Sequence, residues 1–214
     1  MAHARQTAFE PRKTPVQARS AFTVEAIFEA TIQVLLIHGT DRLTTTRVAE
    51  RAGVSVGTLY QYYPNKESLL FAVLEDHLDK VSVAVEGACE RARGMPLAEM
   101  VKEVTEAFVD AKMERTDIST ALYRIAADVG GPALVKRTGE RSRQALEAML
   151  RTAPDTVAHR QEFAIQMMFA AMAGATRHVL EAGAPPAMVR KLRVHLVSLC
   201  QSYMVAVATP HPPR

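Results

Sequence analysis

The sequence has 214 residues and a mass of 23.5 kDa, which suffices for one large domain or two small ones with a buried core. Hydrophobic residues make up 48% and charged residues 23%, which excludes a chain that is disordered or fibrous throughout. Only 10 glycines, no tryptophan and 6% aromatic residues accompany abundant Ala, Leu, Met, Arg and Glu, which favours helices over sheets. We therefore predict an all-α protein.

The formal net charge is only +3, but it is unevenly placed. Residues 1–66 hold eight Lys or Arg against five acidic residues, whereas residues 67–214 hold 18 of each. The excess positive charge therefore lies entirely in the first third of the chain. This distribution predicts that the first third meets a polyanion and that the remainder does not.

The cysteines and the apolar segments bear on the cellular compartment. Cys89 and Cys200 are too few for a secreted disulfide framework, which predicts a reducing, cytoplasmic setting. The first 24 residues contain no apolar run resembling the core of a signal peptide. The apolar stretch 163–175 is 13 residues long, too short for a bilayer span. We therefore expect neither export nor a membrane partner.

Local signals predict four helices after a flexible basic arm at residues 1–18. The first helix runs from Thr23 to Gly39, where the glycine suits the residue after a helix end. The second follows the hydroxyl cluster Thr44–Thr46 and stops at Gly53. Two more begin at residues that suit N-caps. One runs from Ser55 through Tyr60 to the stop at Pro64, and the other runs from Asn65 to about Cys89.

Gly, Pro and Asp residues divide the rest of the chain into five further helical segments. They cover 97–115, 118–128, 132–152, 156–182 and 186–208, and a proline-rich tail at 209–214 follows. Asp117 and Asp155 suit N-cap positions, and Pro132 and Pro186 suit first turns. The sequence therefore predicts about nine helices and no internal repeat.

The segment from Thr45 to Pro64 matches the helix-turn-helix pattern. Ala49 supplies the small residue needed where two helices cross, and Gly53 supplies the left-handed turn conformation four residues later. The second helix of such a unit enters the major groove of DNA by its N-terminal end. Four residues are thereby aimed at base edges and phosphates: Ser55, Val56, Gly57 and Thr58.

The flanks of this segment extend the pattern. They carry Ile27-Phe28-Glu29-Ala30-Thr31, Gly39, Thr44-Thr45, Val48-Ala49 and the run AGVSVGTLYQYYPNKESLL at 52–70. The stretch 27–70, about a fifth of the chain, resembles the Tet repressor (TetR) family of bacterial transcription regulators. It departs mildly from that family, with Thr31 replacing the usual alanine and Tyr63 the commoner phenylalanine.

The resemblance implies a role for each matching residue. Thr45 matches a phosphate contact, and Thr46 a residue that reaches a base. Val56 and Gly57 match groove-facing positions. The family's backbone clamps correspond to Thr58, Tyr60, Tyr62 and Lys66. Hydroxyls and an ammonium beside helix N-termini suit phosphate oxygens, which position a protein without reading sequence.

Several residues of this region have alternative interpretations. Leu59 and Tyr63 fit a core better than a contact, and Tyr60 fits packing and phosphate contact equally well. Lys66 on its own would be an ordinary surface lysine. The basic residues of the arm fit either a segment entering the minor groove or a disordered arm without fixed contacts.

The last two predicted helices carry apolar stripes, and the family pairs the corresponding helices of two subunits as a four-helix bundle. The stripe on 156–182 consists of Phe163, Met167, Ala170, Ala171, Gly174 and His178. The stripe on 186–208 consists of Val189, Leu192, Leu196, Leu199 and Tyr203. We predict a homodimer, with the alternative that one stripe is core of a single chain. Reading two successive major grooves also requires two copies.

The family also binds small molecules in its C-terminal helices. Adaptable apolar side chains of 97–182 suit an irregular pocket, although most such residues are plain core. The candidates are Phe108, Met113, Tyr123, Met149, Met168, Phe169 and Met172. Arg177 and His178 could anchor a polar or anionic ligand, with an interface hydrogen bond as the alternative.

These observations predict a homodimeric, ligand-responsive regulator that leaves its operator DNA when a small molecule binds. The predicted domains are 19–66 for DNA binding and 67–208 for effector binding and dimerisation. An alternative is a redox-responsive regulator using Cys89 and Cys200. A different class, an enzyme, lacks any catalytic motif or paired metal spacing in the sequence, so we expect no catalytic residue, metal or cofactor.

Overall fold

The computed structural model describes residues 18–155 and 162–208. The predicted arm, apart from Ala18, the predicted tail and the segment 156–161 lie outside these residues. Within them the chain forms nine helices and no strand, which confirms the all-α prediction. The helices are α1 Ala18–Arg42, α2 Thr45–Ala52, α3 Val56–Tyr62, α4 Lys66–Arg91, α5 Leu97–Met113, α6 Thr116–Ile125, α7 Gly131–Leu150, α8 Glu162–Glu181 and α9 Pro186–Ala208.

The described residues divide into two compact units. The first comprises 18–78 and 121–135, and the second comprises 79–120, 136–155 and 162–208. Three helices, α4, α6 and α7, therefore supply residues to both units. The predicted boundary after residue 66 coincides with the start of α4, whereas the units divide twelve residues later, after Leu78.

In the first unit, α1 supplies a buried stripe at three- and four-residue spacing. Ile27, Val34 and Leu35 are all at most 6% exposed. Gly39 adopts φ 72° and ψ 176°, which interrupts the helical backbone before a last turn ending at Arg42. We predicted Gly39 at the end of the helix, and the structure places it where the helical backbone is interrupted. Its φ lies in a region that residues with a Cβ rarely adopt.

One window of α1, Ser20–Arg42, is long and apolar enough to cross a membrane by length and composition. Our expectation of no membrane span considered a different and shorter stretch, 163–175. A core helix passes the same test, and the buried stripe of α1 has the spacing of a core helix. The window is thus weak evidence for a membrane span.

The second unit is built around a single hydrophobic core. It draws side chains from the second half of α4 and from α5, α7, α8 and α9. Helices α5 and α9 run antiparallel, because Arg193 pairs with Asp110 while the Gln201 Nε2 donates to the Ala98 carbonyl at 2.8 Å. Methionines contribute four fully buried side chains to this core: Met100, Met149, Met168 and Met172.

The N-terminus of α5 is capped from a distant part of the chain. Pro96 precedes the helix and provides no side-chain cap, so the Leu97 N–H donates instead to Asp155 Oδ1 at 2.9 Å. Beside it, the Gly94 N–H donates to Thr152 Oγ1 at 2.9 Å. We predicted Asp155 as the cap of the following helix, but the structure places its carboxylate on α5, 58 residues away in sequence.

Removing this cap should destabilise the protein. We expect Asp155→Ala to lower the free energy of unfolding by about 1 kcal/mol, because an N-terminal N–H loses its charged acceptor. Urea denaturation followed by circular dichroism measures the change. Asp128→Ala, which removes the same charge from an exposed turn, is the matched control. Equal losses in both variants would show that the cap contributes nothing specific.

Candidate nucleic-acid interface

The turn between α2 and α3 has the geometry that a helix-turn-helix needs. Gly53 adopts the left-handed conformation, with φ 68° and ψ 28°, and caps α2. The Val54 N–H donates to the Ala49 carbonyl at 3.0 Å. Ala49 itself is fully buried, as expected of the small residue at the helix crossing. The predicted conformation of Gly53 is confirmed, and the burial of Ala49 agrees with its predicted role.

The helices of this region begin at the predicted hydroxyl and amide caps. Thr44 Oγ1 accepts from the Arg47 N–H at 3.3 Å, and Ser55 Oγ accepts from the Thr58 N–H at 3.0 Å. At the start of α4, Asn65 Oδ1 accepts from the Ser68 N–H at 2.7 Å, while Ser68 Oγ accepts from the Asn65 N–H at 3.3 Å. Local sequence thus determines where α2, α3 and α4 begin.

The nine residues predicted to contact DNA all reach the surface of the first unit. Their side chains are partly or fully accessible, and none of them belongs to the core. The exposed residues are Thr46, Ser55, Gly57 and Tyr60, and the half-buried residues are Thr45, Val56, Thr58, Tyr62 and Lys66. The N-terminal end of α3 is therefore accessible at the surface of the first unit.

Three polar contacts hold these side chains in place. The Thr45 hydroxyl and the Tyr60 hydroxyl are 3.0 Å apart, which ties the first residue of α2 to α3. The Ser55 and Thr58 hydroxyls are 2.8 Å apart. The Lys66 Nζ donates to the Thr40 carbonyl at 3.3 Å and so joins the start of α4 to the end of α1. An ammonium has three donors, so this bond is compatible with a further acceptor.

Two residues of the motif are core, as the alternative interpretation held. Leu59 is fully buried, and Tyr63 is only 3% exposed. The Tyr63 ring lies 5.9 Å from the Phe28 ring, centroid to centroid, and its burial raises the pKa of the phenol above the ordinary range. Tyr63 therefore braces α3 against α1 and does not face solvent.

Most residues predicted for a ligand pocket lie together in the core of the second unit. Phe108, Met149, Met168 and Met172 are at most 7% exposed, and Met113 and Phe169 pack against them while partly accessible. Tyr123 is half-buried and belongs to the first unit. The structure therefore groups six of the seven apolar candidates in one cluster.

The prediction for Arg177 needs correction. Arg177 is exposed on α8, and its Nε donates to Glu181 Oε1 at 2.7 Å one turn later. Its guanidinium thus forms a surface ion pair and does not reach into the core. A basic side chain that is buried in the second unit is Lys112, which is 5% exposed and was not predicted. Burial lowers the pKa of Lys112 to about 8.

The two predicted dimer stripes differ in the structure. On α8, Phe163 is 69% and Met167 is 45% exposed, and Ala170, Gly174 and His178 are exposed beside them. Ala171 is half-buried, as are Val189 and Tyr203 of α9. Leu199 of α9 is 54% exposed. The accessible parts of both helices thus include large apolar side chains.

Two predicted interface residues of α9, Leu192 and Leu196, are instead buried in the core of their own chain, at 8% and 4% exposure. The exposed apolar residues of α9 are Val194, Leu199, Val205 and Val207. The predicted stripe therefore combines core residues with the exposed Leu199, because α9 is apolar on both sides. Val194 and Val205 are exposed apolar residues that the predicted stripe did not include.

The cysteines are small core residues. Cys89 is 1% exposed and Cys200 is fully buried, and both thiols are free. Burial raises the pKa of the Cys89 thiol to about 12 and also raises that of Cys200. A reactive thiolate is exposed and has a lowered pKa, so neither residue supports the redox alternative.

Comparison with known proteins decides the family. The profile described as "Bacterial regulatory proteins, tetR family" matches residues 27–73, over the helix-turn-helix. The profile described as "Tetracyclin repressor-like, C-terminal domain" matches residues 96–204, slightly more than half of the chain. The chain belongs to the TetR family. The resemblance read from 27–70 is thus confirmed. The matched stretches span less than half the length of the curated relatives, 30% of one and 48% of another.

Individual proteins resemble this chain in sequence or in fold. The transcriptional repressor KstR of Mycolicibacterium smegmatis is 36% identical over 62 residues, which cover 29% of this chain and 30% of KstR. A TetR-family regulator from Mesorhizobium loti shares the fold with a TM-score of 0.73 at 14% identity, over 89% of this chain and 98% of that one. LfrR of Mycobacterium smegmatis, crystallised with proflavine, has a TM-score of 0.56 at 23% identity, over 85% and 97%.

Arg47, a cation of the helix-turn-helix, was included in the charge balance but was not predicted as a DNA contact. Arg47 is exposed in the first turn of α2, next to Thr46, and its NH1 donates to the Arg42 carbonyl at 2.5 Å. The hydroxyl pattern drew attention to Thr44–Thr46 alone. The signal for Arg47 was its position, since a cation beside exposed hydroxyls at a helix start suits a phosphate.

Proposed function

We propose that this TetR-family chain is a homodimeric repressor that binds operator DNA through α3 and leaves it when a small molecule binds the second unit. The observation that carries the proposal is the open N-terminal end of α3. Ser55 caps it, and Gly57 and Tyr60 are exposed along it. A helix presented by its N-terminal end fits the major groove, where base edges are read.

The surrounding groups support an arrangement of phosphate contacts around that helix. Thr45, Tyr60 and Lys66 are held by hydrogen bonds within the first unit, so little side-chain freedom is lost on binding. Their donors suit phosphate oxygens on either side of a groove. Val56 is half-buried at the start of α3 and offers a methyl surface to a thymine, while Gly57 permits close approach of the backbone.

The dimer is supported by the exposed apolar side chains of α8 and α9. Phe163, Met167, Val194, Leu199 and Val205 are each at least 42% exposed in the single chain. A surface of this kind on two helices favours burial against a partner. A two-fold dimer also presents two recognition helices, which match half-sites about 34 to 36 Å apart on DNA.

Ligand response is supported by the composition of the second unit's core. Its buried methionines adapt to irregular shapes, and Phe108 adds an aromatic surface beside them. LfrR, which has the same fold, binds proflavine in its crystal structure. Release from DNA requires that the ligand bind the DNA-free state more tightly than the DNA-bound state.

The test of DNA recognition is the ratio of specific to nonspecific affinity. Duplexes are selected from a random pool with the purified protein, and the enriched duplex is titrated beside a scrambled duplex of equal composition. We expect at least about a 1,000-fold preference for the enriched duplex. Equal affinities would show a sequence-blind binder and would contradict the proposal.

Lys66→Ala is expected to weaken binding to both duplexes by similar factors. A phosphate contact releases about one counterion, so the slope of log affinity against log salt should become shallower by about one. Titrations at several salt concentrations measure this slope, with thermal denaturation to detect any loss from the Thr40 contact. The control is Lys102→Ala on α5, where Lys102 pairs with Glu99 at 4.0 Å. A loss restricted to the selected duplex would mean that Lys66 reads bases.

A further inference from the structure

A lysine lies inside the apolar core of the second unit. Lys112 is 5% exposed and follows Phe108 and Val109 on the buried side of α5. Burying an ammonium costs free energy, and desolvation lowers the pKa of Lys112 to about 8. A cation at this place is a strong point of attraction for an anion that enters the core.

A buried hydroxyl lies on the facing helix. Thr176 of α8 is fully buried, and its Oγ1 has no hydrogen-bond partner within the described part of the chain. Two other fully buried helix threonines behave differently. Thr31 and Thr105 each donate to the carbonyl four residues earlier, both at 2.7 Å. An unsatisfied hydroxyl in a core destabilises the protein until something bonds it.

Lys112 and Thr176 lie at the same level along the helices. Asp110 pairs with Arg193, so antiparallel α9 places Lys112 near the level of Lys191. Helices α8 and α9 are in contact and are joined by the short connection 182–185, which makes them antiparallel neighbours. Thr176, five residues before the end of α8, therefore also lies near the level of Lys191.

The beginning of α6 brings further polar groups to this end of the core. Ser119 is 1% exposed, and its Oγ donates to the Lys112 carbonyl at 2.9 Å. Thr120 Oγ1 lies 3.5 Å from the Leu180 carbonyl, one turn beyond Thr176. Two contacts thus place the same turn of α6 beside both α5 and α8. This end of the core is therefore polar, whereas the rest is apolar and rich in methionine.

We propose that Lys112 and Thr176 bind the carboxylate of an amphipathic effector, whose apolar part replaces methionine contacts beside Phe108, Met168 and Met172. One ammonium and one hydroxyl balance a single negative charge, which favours a carboxylate over an organic phosphate. The flexible methionines allow room for an aliphatic or aromatic body. This assignment rests on the proposed ligand response, because it names the chemical class of the effector.

The experiment uses matched pairs of probes. Hexanoate, octanoate, decanoate and phenylacetate are each compared with the alcohol of the same carbon skeleton, by thermal shift and isothermal titration below micellar concentrations. We expect at least one carboxylate to raise the melting temperature and to bind about tenfold or more tightly than its alcohol. Equal binding of acid and alcohol, or no stabilisation by any of the four acids, would overturn the assignment.

Three variants locate the binding. Lys112→Met keeps the volume and removes a buried charge, so the fold is retained, and we expect carboxylate affinity to fall about tenfold or more while alcohol affinity is unchanged. Thr176→Val should weaken the carboxylate severalfold, since one hydroxyl contact is lost. Lys102→Met, on the same helix but half-exposed, should bind like the wild type. Wild-type affinity in Lys112→Met would overturn the site.

Titration of the carboxylate into the complex with selected DNA separates this inference from the proposed function. A carboxylate that binds through Lys112 and leaves DNA affinity unchanged supports the site and contradicts the ligand response. Release of DNA by a probe of another class, with no carboxylate bound, overturns the site and supports the ligand response.

Discussion

Gly57→Glu should abolish operator binding and leave the fold intact. Gly57 lies in the first turn of α3, is exposed, and has ordinary φ, and a Cβ added there would meet only Ser55 Oγ at 3.7 Å. Replacing a helical glycine improves helix propensity, and an acid suits the first turn of a helix. Against DNA, the same side chain would occupy the groove and face the phosphates. We expect a loss of at least about a hundredfold in affinity, measured by fluorescence anisotropy on the selected duplex.

Gly139→Glu is the matched control for this substitution. Gly139 is also exposed within a helix, α7, with no atom within 4 Å of an added Cβ, and it belongs to neither proposed surface. The control adds the same charge and the same bulk. If Gly139→Glu loses as much DNA affinity as Gly57→Glu, the effect is one of net charge, and α3 is not the reading element.

Gly174→Glu is expected to convert the proposed dimer to monomers of 23.5 kDa. Within one chain, an added Cβ at Gly174 meets no atom within 4 Å, so the monomer has room for the side chain. In the proposed interface, beside Phe163 and Met167, the carboxylate would be desolvated without a partner, which costs several kcal/mol. Sedimentation velocity should show a dissociation constant raised by about a hundredfold or more.

The dimer prediction has the same control and a second readout. Gly139→Glu should remain dimeric, and Gly174→Glu should keep the circular dichroism of the wild type. Operator affinity should also fall in Gly174→Glu, because half-sites are then bound one at a time. A Gly174→Glu variant that stays dimeric at wild-type concentrations would place the interface on another surface.

The parts of the fold that depend on neighbouring residues were predictable. Ser55 and Asn65 cap helices through bonds to residues three positions away, and Gly53 takes the left-handed turn that its missing Cβ permits. Such contacts are encoded within one turn of the chain. The helix-turn-helix therefore follows from its own 20 residues.

Contacts between distant segments were not predictable from local patterns. Asp155 has the composition signal of a cap, but only the fold determines that α5 is the helix it caps. Helix α9 is apolar on two sides, so periodicity alone does not separate the core residues Leu192 and Leu196 from the exposed Val194 and Val205. Burial against another element decides between the two sides.

Lys112 shows the same principle for the candidate effector site. A lysine near the end of an amphipathic helix is typical of a solvated surface, whereas Arg177 in an apolar helix suggested either a ligand anchor or an interface hydrogen bond. In the structure Lys112 is buried, whereas Arg177 pairs with Glu181 at the surface. The available signal was spacing, because Lys112 is four residues after Phe108 and so shares its side of α5.

Footprinting of the wild-type protein on its selected duplex tests the central claim, that two copies read one operator through α3. The account predicts an inverted repeat whose half-sites are about 10 base pairs apart, or a multiple of that spacing, and symmetric protection that Gly57→Glu eliminates. Enriched sequences without two-fold symmetry, or protection that persists in Gly57→Glu, would contradict it.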